Sequence, residues 1–471
     1  MKNSLVFCIL LCLSIRDSYA QFTKLLDFNG TNGSTPFGSL TISGNDSILY
    51  GMTASGGADN AGVIFSINTN GSHYTFLRNF TRTDTSGSSP HGSLILSGNI
   101  LYGMTSENGI YGYGNIFSIH TNGSEYKDLY DFQSLSDGGV SDGSLIISVD
   151  TLYGMTFGQG IGAGGKGTVF SILTDGSGFK TLLEFNDTNG ERPMGDLILS
   201  GNVLYGMTSG GGANGNGIIF SIYTNGKGYK DLLDFNKANG SVPEGSLTLA
   251  GNVLYGVTNQ GGSFQEGLVF SIHTDGSTYK DILDFSGANG HGPGGSLILA
   301  GSTLYGTTEL GGTNNYGTVF SIDTNGTGYK DIFNFNSSDG KQPFCSLTLS
   351  GSSLFGTAVN GGAYGDGVLF SYSGITGIDQ LTALANVDIN IFPNPASYKL
   401  QYTISTIESS QAKLVILDIL GRTMSTETIQ LAGGKNSFFK NISDFNNGVY
   451  FLQVSTPSGH SIQKKFIVIQ H

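Results

Sequence analysis

Hydrophobic and polar positions alternate along most of this chain in short bursts of strand length, broken by glycine, asparagine, aspartate and serine. Residues 245–285 show the pattern most plainly, with apolar runs at 246–249, 253–258, 268–274 and 279–285. Asp275-Gly276 separates the last two runs and predicts a tight hairpin with positive φ at two successive residues. Gly251-Asn252 separates the first two and is a second turn pair. A looser glycine-rich loop, 259–267, joins the middle two. Four antiparallel strands in roughly 40–50 residues, repeated, predict the blade of a β-propeller.

The repetition is regular enough to count. Leu-Tyr-Gly occurs at Leu49, Leu101, Leu152, Leu204, Leu254 and Leu304, and Leu354-Phe355-Gly356 is a seventh copy. First strands are expected near Ser39, Ser93, Ser144, Asp196, Ser246, Ser296 and Ser346, and third strands around Phe65, Phe117, Phe170, Phe220, Phe270, Phe320 and Phe370. Fourth strands follow six of the third strands, beginning at Tyr74, Tyr126, Phe179, Tyr229, Tyr279 and Tyr329. None follows Phe370. A matching strand stands alone at 22–28, so the seventh blade is expected to borrow it and close the ring. An open joint would leave two unpaired edges exposed to aggregation. The predicted fold is therefore all-β: a seven-bladed β-propeller over 21–373, closed by the N-terminal strand. Short turns such as Ser200-Gly201-Asn202 and Asn225-Gly226 then lie on one face. The longer loops, among them 236–244 and 209–217, lie on the other.

The first twenty residues read as a secretory signal. Lys2 supplies the positive start, 5–15 the apolar stretch, and Ser18-Tyr19-Ala20 a small-x-small cleavage site. That stretch is too short to span a bilayer, and no later segment is long and apolar enough. Cys12 follows Leu11, which is not small, and this argues against a lipoprotein. Cleavage after Ala20 leaves Cys345 as the only cysteine, so no intrachain disulfide is expected. Cys345 fills a slot held by glycine in other repeats and reads as a small buried thiol. Glycine is abundant, with 74 residues, against 9 prolines, which suits a chain of tight turns. The formal net charge of −13 becomes −14 without the signal. With no basic patch, that charge excludes nucleic acid and anionic lipid as partners.

The strand and glycine order resembles kelch blades, although this chain has no tryptophan. More specifically, the string LYG-T-x-x-GG…G-x-V-F-S-I-x-T-[DN]-G resembles the GloVer tandem repeats of bacterial exported proteins across 22–373. That resemblance implies a fold and a compartment but no reaction.

After a linker at 374–387, alternating runs at 399–405, 412–418, 437–442, 448–454 and 462–469 predict a small C-terminal β-sandwich over 388–471. This tail is similar to type IX secretion sorting domains. The similarity rests on Phe392-Pro393-Asn394-Pro395-Ala396, on the segment ending Gly421-Arg422, on Gly448-Val449-Tyr450, and on Lys464-Lys465-Phe466. It implies a Bacteroidota-type cell, the type IX machinery as partner, and release or attachment at the cell surface.

Catalytic chemistry is scarce. Gly160–Lys166 fits a phosphate-loop spacing, but Gly167 stands where Ser or Thr is needed and a strand follows instead of a helix. The seven histidines form no metal-ligand spacing, so no metal or cofactor is expected. Asp27, Asp131, Glu184, Asp234 and Asp284 share one place in the fourth strand. Their repetition marks a structural role, such as pairing with lysine on a neighbouring strand. What varies between repeats is in the loops, which carry Phe37, Tyr111, Tyr113, Phe157, Phe264, Tyr316, Phe344 and Tyr364. Exposed rings there can stack on sugars or anchor a protein. Tyr111, Tyr113, Phe157, Phe264, Tyr316 and Tyr364 are the candidate ligand-binding residues of a non-enzymatic protein that binds glycan or protein. The alternatives are a secreted polysaccharide lyase or hydrolase using Glu107, Asp142, Glu191 or Glu244, and a structural role in the cell coat.

Overall fold

The computed structural model describes residues 21–470 except 84, 134–136, 159–165, 376–387, 407–409, 419–421, 433 and 456–460. The signal peptide and most of the linker read from the sequence lie outside the described residues. No described helix is long and apolar enough to cross a membrane.

In the repeat taken above, the strands are Thr248–Ala250, Val253–Thr258, Leu268–His273 and Lys280–Asp284, antiparallel and hydrogen-bonded in that order. The Asp275-Gly276 hairpin differs from expectation. Of the pair itself only Gly276 has positive φ, at 90°, and its N–H donates to the His273 carbonyl while the His273 N–H donates to the Ser277 carbonyl. The Asp275 carboxylate accepts from both the N–H and the hydroxyl of Ser277. This local clasp stabilises a longer turn whose two left-handed residues, Gly276 and Thr278 (φ 58°), are not adjacent.

Among the described residues, seven four-stranded sheets lie between Gln21 and Ser373. Six take their strands from consecutive chain. The other joins Thr348–Ser350, Ser353–Ala358 and Val368–Ser373 to Gln21–Asp27, with Phe22 opposite Tyr372 and Asp27 opposite Val368.

Neighbouring sheets share their hydrophobic cores. One cluster combines Tyr205, Met207, Ile219 and Phe235 with Leu247, Leu254, Leu268 and Phe270 of the next sheet. Another joins Phe355, Leu369 and Phe28 to Leu49, Val63 and Phe65. The repeated contact in these seams is edge-to-face: the Phe ending each fourth strand meets the third-strand Phe of the following sheet. Seven such pairs have centroids 5.2–5.8 Å apart. The third-strand ring also lies over the Leu-Tyr-Gly glycine opposite it. A Cβ on Gly256 would stand 2.5 Å from Phe270 Cζ, and the other six repeats give 2.5–2.7 Å. The glycine of the marker is therefore a steric requirement of the seam.

A second chain of contacts runs through the heads of the first strands. The Ser39 N–H donates to Ser93 Oγ, Ser93 to Ser144, Ser144 to Asp196 Oδ1, Asp196 to Ser246, Ser246 to Ser296 and Ser296 to Ser346. The Ser346 N–H donates to Ser39 Oγ and returns the series to its start, all at 2.5–3.0 Å.

The C-terminal part packs Asp388–Phe392, Lys399–Thr406 and Gly434–Asn441 as one sheet, and Thr423–Leu431, Ser410–Asp418, Gly448–Ser455 and Ser461–Val468 as a second. Leu400, Tyr402, Leu414, Ile416, Leu452 and Phe466 fill the space between them. Thr423–Leu431 was not anticipated from the sequence. Its side chains are mostly polar and exposed, with only Ile429 and Leu431 buried, as expected at a sheet edge.

Two substitutions test this reading. Gly256→Ala should lower stability by about 1–3 kcal/mol, because the added methyl overpacks a seam that cannot relax. Val149 occupies a hairpin position with φ 58° and is 92 % exposed, where other repeats have Gly201 and Gly251 at φ 60–62°. Val149→Asn should raise stability by about 1 kcal/mol by relieving a β-branched residue of left-handed backbone. Chemical denaturation reads both.

Candidate functional site

The site is built where the long loops enter the first strands. Each loop there ends in one variable residue followed by the small residue that precedes the hydrogen-bonded Ser or Asp. The variable residues are Phe37, His91, Asp142, Met194, Glu244, Gly294 and Phe344, and all seven line one cavity of about 290 Å³. The small residues sit against one another's backbone: a Cβ on Gly38 would meet the Gly92 carbonyl oxygen at 2.2 Å, and one on Gly195 would meet that of Gly245 at 2.4 Å. With the backbones this close, seven register-equivalent positions, six of them bearing side chains, face a single space.

One wall is aromatic. The Phe344 ring lies across the space that a side chain at Gly294 would occupy. It meets Phe37 edge-on at 6.2 Å, and Phe37 lies 5.2 Å from the His91 ring. The other wall is acidic. His91 Nδ1 and Asp142 Oδ1 are 2.8 Å apart. Glu244 is half-buried, and Asn259 Nδ2 donates to its Oε2 at 2.9 Å. Burial, then the Glu309 carboxylate and more weakly that of Asp142, push the Glu244 carboxyl from 4.5 up to about 7. Gln342 in turn donates to Glu309. No lysine or arginine is among the described residues lining the cavity. No described group of His, Cys, Asp and Glu is arranged to hold a metal ion.

Cys345 also lines the cavity. Its buried thiol donates to the Thr357 carbonyl, and burial pushes its pKa up, which does not favour a nucleophilic thiolate. Asp196 is the one acid in the series of first-strand heads, and burial pushes its carboxyl up as well.

The loop aromatics read from the sequence divide into two groups. Tyr111, Phe264 and Tyr364 are 52 %, 60 % and 67 % exposed, each at the tip of a second-to-third-strand loop in a different sheet. Tyr113 and Tyr316 pack on the cores of neighbouring sheets, with Lys341 Nζ 5.3 Å above the Tyr316 ring, and Phe157 is half-buried. None of the six lines the cavity. Of the four acids considered for catalysis, Asp142 and Glu244 share the cavity. Glu191 is paired with Lys166, and Glu107 is exposed. His91, Met194 and Gly294 went unread. The signal that marks them is divergence at one register position among otherwise near-identical repeats.

The recurring fourth-strand carboxylates cap loops; the expected pairing with lysine on a neighbouring strand is not their common role. Asp131 accepts from the Ile110 N–H, Asp234 from Ala213, Asp284 from Ser263 and Asp27 from Ala363, and Asn79 and Asn334 do the same in their repeats. Asp27 also pairs with Lys24, but within its own strand. The Gly160–Lys166 string lies outside the described residues except for Lys166, which pairs with Asp187 and Glu191. In the tail, Asn394 Oδ1 accepts from the Ile467 N–H, and Tyr450 stacks on Phe466 in the core. Pro393 and Pro395 both follow cis peptide bonds, Gly448 opens a strand, Lys464 and Lys465 are exposed, and Gly421 lies outside the described residues.

An all-β array of four-stranded antiparallel sheets, with variable residues gathered at the first-strand heads, is propeller-like in class. The chain belongs to the Gloeobacter/Verrucomicrobia repeat family, whose model matches residues 12–161, 74–264 and 249–400. Residues 390–469 match the secretion system C-terminal sorting domain, which marks the protein for export by the type IX system to the cell surface or the extracellular space. No curated protein matches the chain. Among solved structures, an oligogalacturonate lyase in complex with manganese is similar over 76 % of this chain and 94 % of its own, with TM-score 0.52 and 12 % identity. The β-propeller domain of the trilobed protease from Pyrococcus furiosus is similar over 69 % of this chain and 91 % of its own, with TM-score 0.42 and 13 % identity.

The Asp196 environment gives a stability prediction. A raised carboxyl means the folded state holds its proton more tightly, so stability falls as pH rises above the ordinary aspartate value. Asp196→Ser restores the residue used at the equivalent heads and keeps the Ser144 N–H satisfied. Its melting temperature should exceed that of the parent at pH 8, with a smaller gain at pH 4.

Proposed function

We propose that this is a secreted or cell-surface binding protein on a closed seven-bladed β-propeller, whose long-loop face takes a glycan or protein ligand. The closure reading is supported by the pairing of Gln21–Asp27 with Val368–Ser373 and by the hydrogen bonds that return from Ser346 to Ser39. The binding reading is carried by one observation: residues that differ in every repeat except for two phenylalanines converge on one cavity, while seams and turns repeat almost unchanged. Structural needs account for the repeated positions but not for this divergence. A rigid scaffold that presents variable groups is a common arrangement for recognition. The exposed Tyr111, Phe264 and Tyr364 extend the same face outward and offer rings to a larger ligand.

A secreted polysaccharide-degrading enzyme is the second reading. What favours it is the shared cavity of Asp142, held by His91, and Glu244, whose carboxyl lies near neutrality. The full chain should be screened against neutral, amino and acidic polysaccharides, scoring retention and product release together. Retention without product is expected, and it should weaken on substitution of cavity residues. Release of product that stops with Glu244→Gln would establish the enzyme instead.

A further inference from the structure

The chemistry of the two cavity walls narrows the ligand. Phe37 and Phe344 present ring faces and edges on one side, and Asp142 and Glu244 present carboxylates on the other. The charged and titratable groups near Glu244 are Asp142, Glu309 and, through Asp142, His91, with Asp196 and the Cys345 thiol also lining the cavity; no lysine or arginine among the described lining residues balances them. Asn259 is the one described hydrogen-bond donor to the Glu244 carboxylate. A half-buried carboxylate with one donor and two acidic neighbours is undercompensated. An anionic ligand would worsen that field. A neutral one would leave it as it is. A cation bearing apolar substituents would use both walls, because aromatic faces attract cations and the carboxylates supply the counter-charge.

We propose that this cavity binds a small organic ammonium ion, or the ammonium group of a larger ligand, between the Phe37 and Phe344 rings and the carboxylates of Asp142 and Glu244. The proposal rests on the binding-protein reading and names the chemical class that the same site takes.

Binding of a cation favours ionised Glu244, so it releases a proton wherever that carboxyl is still protonated in the free protein. Affinity should therefore rise with pH as the free carboxyl ionises around about 7. The probe is choline, whose charge does not depend on pH, compared with its neutral isostere 3,3-dimethylbutan-1-ol. Calorimetric titration of the full chain should show choline binding at least about tenfold tighter than the alcohol. Choline affinity should rise by up to about tenfold from pH 6 to pH 8. Glu244→Gln should weaken choline binding at pH 8 and flatten its pH dependence. Phe37→Leu, which keeps apolar bulk but removes the ring, should weaken binding several-fold at both pH values. Equal affinity for choline and the alcohol, an unchanged pH profile in Glu244→Gln, or no saturable choline binding would overturn the proposal. If a neutral or acidic glycan instead binds and is lost in Phe37→Leu, the binding-protein reading survives and the ammonium class falls. If neither choline nor any polysaccharide binds, the ammonium class falls and with it the glycan form of the binding-protein reading.

Discussion

The seam between adjacent sheets is the constraint on which the rest depends. No single four-stranded sheet here has a core of its own; each buries its apolar residues against a neighbour's, as Phe235 does on Phe270. The third-strand ring touches both the neighbour's Phe and the glycine of its own second strand, so three residues per repeat set the spacing of the seam. Sheets packed this way approach most closely at their first-strand heads, which is where small residues and backbone-to-serine hydrogen bonds recur. The scaffold and the cavity are thus two results of one packing rule. Tight approach brings the heads together, and the residue just outside each head is left free to vary.

That freedom explains how a repetitive chain acquires a unique site. Near-identical repeats place near-identical groups around an axis, and a symmetric collar of serines is of little use for asymmetric recognition. The variation from Phe37 through Phe344 breaks the symmetry without touching the seam. It yields an aromatic arc beside an acidic one, with His91 tying the two through Asp142. Burial, then the Glu309 carboxylate and more weakly that of Asp142, raise the Glu244 carboxyl toward neutrality, and no lysine or arginine among the described lining residues offsets them. The C-terminal sorting domain carries a separate task. Its motif residues serve its own sandwich, as Asn394 and Tyr450 do, or stay exposed, as Lys464 and Lys465 do.

Much of the fold was legible because period-two alternation and turn residues are local properties. The runs at 253–258 and 268–274 became strands almost as read, and the solitary segment at 22–28 pairs with the strand around Phe370 because its sequence repeats the other fourth strands. Local chemistry failed where a neighbour decided the outcome. The Asp275 side chain clasps Ser277 and changes the turn, and Thr423–Leu431 is a strand despite its polar sequence because Ser410–Asp418 offers it an edge.

The site was less legible for the same reason. Tyr111, Phe264 and Tyr364 stand out in the sequence as aromatic residues in variable loops, and they are exposed. The repeat count already places them in three different blades. Phe37, Asp142 and Glu244 are far apart in the chain, yet they line one cavity because identical registers in successive sheets converge at the first-strand heads. Sequence by itself determined the repeat, its strands and the export tail, since each depends on residues close in the chain. Only the tertiary structure decided which variable positions meet, because that convergence is set by packing across sheets about 50 residues apart.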